Sequence, residues 1–147
     1  MMNILTPVAL RSRREELGLS RSNFAKILGL GESTIRSWEI AKSSPRDPSS
    51  IDHLLGKLEG EYLNLVDELM CTADDKSRIT SEPLLLCSYF NQRDYELNEP
   101  YWSRILPIST YRVAVAHSPA ILNSENIATC IVGVSERDEN CFEEDND

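Results

Sequence analysis

Glu32, Ser33, Arg36 and Ser37 fall inside the short stretch 32–39, and their side chains suit the edges of nucleic-acid bases. An arginine guanidinium can fork onto guanine O6 and N7, a carboxylate can accept from cytosine N4, and a serine hydroxyl can do either job. Covalent chemistry has no comparable set of residues. The chain holds no G-x-S-x-G, H-E-x-x-H or phosphate-loop pattern and no constellation of carboxylates. His117 and Cys130 read as a surface imidazole and a buried thiol rather than a catalytic pair. No catalytic residue is assigned, and an enzyme is not expected. Cys71, Cys87, Cys130 and Cys141 are scattered without a C-x-x-C pair, and His53 and His117 are the only histidines. That spacing predicts free thiols, no metal site and no cofactor.

The four polar residues need a helix to carry them. Thr6-Pro7 marks a helix start, with Thr6 as N-cap and Pro7 at the first helical position, and Gly18 marks its end. Ser20 caps a second helix with Phe24, Ala25, Ile27 and Leu28 inward. Asn23 stands where a capping box would place Glu or Gln. Gly29-Leu30-Gly31 makes the turn: Gly29 is free to take positive φ, Leu30 is expected to plug the space beneath, and Gly31 caps the third helix. Ile35 and Trp38 lie three apart and face inward, which leaves Glu32, Ser33, Arg36 and Ser37 outside. Two short helices joined by a glycine-bearing turn are a helix-turn-helix, whose second helix is shaped for the DNA major groove.

After the loop Ala41–Pro48, a long helix is expected from Ser49 or Ser50. Its apolar stripe runs through Ile51, Leu54, Leu55, Leu58, Tyr62, Leu65, Val66, Leu69 and Met70, with Gly56 and Gly60 as points of bending. Ala73–Ser77 is the expected boundary. Pro83–Phe90 reads as a strand, the region of Tyr95, Tyr101 and Trp102 as loop, and Pro107 as the start of a helix stopped before Pro119. Ile127–Val134 reads as a second strand. The fold class is therefore α+β: an N-terminal all-α helix-turn-helix bundle, a long helix and a small mixed α/β dimerisation domain. The expected divisions are 1–72, 73–135 and an acidic, disordered tail at 136–147.

The net charge of −9 over 147 residues is unevenly spread. Residues 1–48 carry +3, whereas 49–135 and 136–147 carry −6 each. The helix-turn-helix portion is the basic one, so overall acidity does not exclude DNA. The tail is either a solubilising appendage or an electrostatic competitor for that basic face. No apolar run reaches the roughly 20 residues of a membrane span, and the N-terminus meets Arg and Glu too soon for a secretory signal. A cytoplasmic protein with no membrane partner is expected.

Leu10-Arg-Ser-Arg-Arg-Glu-Glu-Leu17-Gly-Leu-Ser20, then Phe24-Ala25, Leu28-Gly29 and Thr34-Ile35-x-x-Trp38-Glu39, resembles the Cro/phage-repressor (XRE-type) helix-turn-helix family. The resemblance implies that the start of the second helix sits on the DNA backbone. Arg21, where that family often has Gln, is then an ionic phosphate contact. Ser22, Thr34, Lys42 and Arg14 join it as backbone contacts. Gly31-Glu32 replaces the usual Ser or Thr start of the recognition helix, so Glu32 either accepts from cytosine or only complements the helix dipole.

The whole chain, through Tyr89-Phe90-Asn91-Gln-Arg-Asp-Tyr95 and Arg112-Val-Ala-Val-Ala116, looks like the anti-CRISPR-associated autoregulators. That implies a homodimer repressing its own operon at an inverted repeat of double-stranded DNA. A dimer also follows from physics, because one module buries only about 600–1,000 Å² and two copies combine their binding. The alternative is an antitoxin whose C-terminal half binds a toxin. RNA is a second nucleic acid that the same basic face admits.

Overall fold

The structure is a computed structural model that describes residues 4–133. It contains α1 (Pro7–Glu16), α2 (Arg21–Leu28), α3 (Glu32–Glu39), α4 (Pro48–Ser77), β1 (Leu84–Ser88), α5 (Gln92–Asn98), a 3₁₀ turn (Trp102–Arg104), α6 (Ile108–Ser124) and β2 (Thr129–Gly133). The class is α+β, with an all-helical N-terminal bundle as expected. The tail at 136–147 lies outside the described residues. Among the described residues, no helix is long and apolar enough to cross a membrane.

Two compact units divide the chain at Asn64 and Leu65. In the first, Thr6 caps α1 by accepting from the Ala9 amide at 3.1 Å, and Ser20 caps α2 by accepting from Asn23 at 3.0 Å. Phe24, Ile35 and Leu55 are wholly buried, with Leu10, Leu17 and Leu19 around them. Arg13 ties α1 to α4 by ion pairs with Asp52 and Glu59. Ile27 and Leu30, expected inside, are exposed. Leu19, by contrast, is buried. The Leu30 backbone instead closes α2 by donating to Ala25 O at 2.9 Å.

α4 is one continuous helix of 30 residues. It passes through Gly56 and Gly60 and continues through Ala73–Ser77, where a break was expected. Ala73 is buried, so packing extends the helix beyond the end of the large apolar stripe.

In the second unit, β1 and β2 pair in parallel, from Leu84 with Thr129 to Ser88 with Gly133. Parallel strands need a crossover, supplied here by α5, the 3₁₀ turn and α6, with α6 packing on both strands. Two expectations fail in this crossover. The supposed loop contains α5, capped by Asn91 Oδ1 accepting from the Asp94 amide at 2.9 Å. And α6 runs through Pro119 to Ser124. Proline removes the amide that would bond to the carbonyl of Val115. Burial of Ala114, Val115, Ser118 and Leu122 keeps both halves of the helix on the core.

Candidate nucleic-acid interface

The turn between α2 and α3 depends on Gly29, at φ 69°, in the left-handed region where a Cβ is unfavourable. The chain then extends through Gly31, which makes no side-chain cap, and α3 begins at Glu32. Ile35 and Trp38 bury the inner face of α3. The outer face carries Glu32, Ser33 and Arg36, all exposed, with Thr34 and Ser37 half-buried at its margins.

Ser33, Arg36, Ser37 and Lys42 line one shallow depression with Ile40, which is 48% exposed. The structure thus brings together three of the four base-reading candidates and one backbone candidate. Ser37 is already partnered: its hydroxyl lies 2.7 Å from the Ser43 hydroxyl. Glu32 is exposed at the start of α3 but does not line the depression.

The end of α3 explains how Lys42 reaches this position. The Lys42 amide donates to Ser37 O at 2.9 Å and the Ala41 amide to Trp38 O at 3.2 Å. That pair of bonds is a Schellman motif, which folds the chain back across the helix end. Ala41 occupies its left-handed position at φ 61°. Sequence reasoning missed both this device and Ile40; the sequence around Ala41 offers no glycine to announce it.

Arg14 is a correction. Expected on the DNA backbone, it is buried. Its Nε and Nη2 donate to the two oxygens of Glu39 at 2.8 and 2.9 Å, and Nη1 donates to Leu19 O at 2.6 Å. Nε, Nη1 and Nη2 each donate inside the head, and the side chain is only 7% exposed. Arg21 is intermediate: Nε donates to Glu39 at 3.1 Å while 30% of the side chain is exposed. Ser22 is half-buried beside it at the start of α2.

Glu39 follows Trp38 at the end of α3, where sequence alone gives it no role. Its side chain is 1% exposed and joins α1, α2 and α3. Burial pushes its carboxyl up, and the hydrogen bonds and charges of Arg14 and Arg21 more than reverse this, holding it below the usual carboxylate range.

Residues 10–49 match the family described as Helix-turn-helix. That span covers most of α1, the whole of α2, the turn, α3 and the first residues of α4, so the match falls on the helix-turn-helix of the head and supports DNA binding there. No curated protein matches the chain.

Proposed function

We propose that this chain is an XRE-type, sequence-specific transcriptional repressor that regulates its own operon, in the manner of the anti-CRISPR-associated autoregulators. It acts in the cytoplasm and binds an inverted repeat as a homodimer, each copy laying residues 32–39 in a major groove. The observation that carries this reading is the division of α3. Ile35 and Trp38 hold one side in the core while Ser33 and Arg36 stand exposed beside Lys42.

Arg36 forks onto a guanine, and Ser33 and Ser37 contact neighbouring base edges, Ser37 from a hydroxyl oriented by Ser43. Glu32 accepts from cytosine N4. Thr34 and Lys42 contact the backbone, as do Ser22 and the Nη atoms of Arg21 at the start of α2. A second copy pairs through the C-terminal unit. That unit exposes Leu85 and Ile131 on a two-stranded parallel sheet, an architecture that is normally covered on both faces.

The test is a gel shift with the DNA upstream of the chain's own gene at two salt concentrations. A retarded band that survives competition by unrelated duplex and weakens as salt rises supports the proposal. Equal competition by both duplexes contradicts it.

A further inference from the structure

A cavity of about 150 Å³ in the second unit has an arrangement that the DNA-binding reading does not use. Its wall includes four successive residues of β1, Leu84 to Cys87. Successive strand residues point to opposite faces, so a cavity touching all four lies along the edge of the strand. β2 pairs along the other edge, and among the described residues no strand pairs along this one. Leu69 and Ala73 of α4 supply apolar surface opposite.

Glu99 also lines this cavity. Tyr89 and Tyr111 each donate a phenolic hydrogen bond to the same carboxylate oxygen, Oε1, at 2.9 Å. Neither phenol uses the other oxygen, Oε2. The two tyrosines therefore hold the carboxylate through one oxygen and leave the second to another donor. Lys76 is exposed at the cavity margin and is the cation among the lining residues.

We propose that this cavity binds a small primary amine carried on an apolar body, with the ammonium on Glu99 Oε2 and the body between α4 and β1. The size suits one ring or a short alkyl chain, since an apolar cavity of about 150 Å³ accepts benzene. The negative carboxylate and the edge carbonyls favour a cationic donor over an anion or an alcohol. The site does not rest on the DNA-binding reading, and its test uses no DNA.

Cys87 lines the cavity and is exposed, which makes it a local reporter. In the full chain with Cys71, Cys130 and Cys141 changed to Ser, the rate of methanethiosulfonate modification of Cys87 is measured with benzylammonium, benzoate or benzyl alcohol at matched concentrations. Benzylammonium should protect Cys87 while the other two do not. Glu99→Gln should weaken that protection by about tenfold or more, the scale of a charge-assisted hydrogen bond. Because Glu99→Gln also disturbs the two tyrosines, Lys76→Gln provides an arm on an exposed residue. Removing this positive charge at the cavity margin should strengthen benzylammonium protection by about threefold. Absence of protection, equal protection by all three probes, or an unchanged Lys76→Gln response would each overturn the proposal and leave Glu99 as a clamp for the tyrosines alone.

Discussion

Arg14 and Glu39 lie 25 positions apart in the sequence and meet as a two-point ion pair, Nε to Oε2 at 2.8 Å and Nη2 to Oε1 at 2.9 Å. The pair joins α1 to the end of α3, and Arg21 adds a link from α2. The residue that looked like a phosphate contact is thus part of what holds α3 against α1 and α2.

Glu39→Gln should cost about 3–5 kcal/mol in urea unfolding, because it leaves Arg14 buried against a neutral group. Replacing both partners by apolar residues, Arg14→Met with Glu39→Leu, should cost less than the single change. The pH dependence has a defined sign. The carboxyl of Glu39 is depressed in the folded state, so its contribution is complete above the unfolded value near ~4.3 and is lost as pH falls through the lower folded value. Unfolding curves taken down to acid pH should show this loss in the native chain and not in Glu39→Gln.

Ala41 sits at φ 61° where α1 and α2 place Gly18 and Gly29, and where the end of α6 places Asn126. Alanine has a Cβ in that conformation and no polar side chain to compensate. Ala41→Gly should stabilise the head by about 1 kcal/mol, read as a rise in melting temperature. A loss of stability would show that the position is not strained.

Tyr89, Tyr95 and Tyr111 form a cluster with ring centroids 5.1 to 5.7 Å apart. Burial first, and then the carboxylate of Glu99, pushes all three phenols up from their ordinary value. The folded state keeps protons that the unfolded state releases near pH ~10, so stability is full below that pH and falls as pH rises past it. A phenolate absorbance titration should show these three ionising only with unfolding. Three reversible ionisations in the ordinary range would contradict the buried cluster.

On DNA, Arg36→Ala and Arg21→Ala should fail differently. Arg36→Ala should cost about 1–3 kcal/mol on the operator and little on unrelated duplex, because a base contact is lost. Arg21→Ala should weaken binding to every sequence and lower the salt slope by about one. Titrations of both variants on both duplexes at several salt concentrations separate the two roles.

Local signals explain which parts were legible in the sequence. Thr6, Ser20, Gly18 and Gly29 act on their own neighbours, so the helix boundaries of the head could be read from them. Ile35 and Trp38 give the inner face of α3 by spacing alone. Arg14 could not be placed this way: a polar residue between polar neighbours looks like surface until a carboxylate far along the chain is folded against it. Pro119 misled for the same reason, because tertiary burial outweighed a local breaker. Ala41 is a left-handed position without the residue type that normally marks one.

Hydroxyl-radical footprinting of the upstream DNA with the full chain tests the central claim most directly. The expected result is two protected patches on one face of the duplex, their centres about 34–36 Å or a multiple of that apart, with Arg36→Ala losing both. Uniform protection that ignores sequence, or a single unpaired patch, would contradict a dimeric repressor reading an inverted repeat through α3.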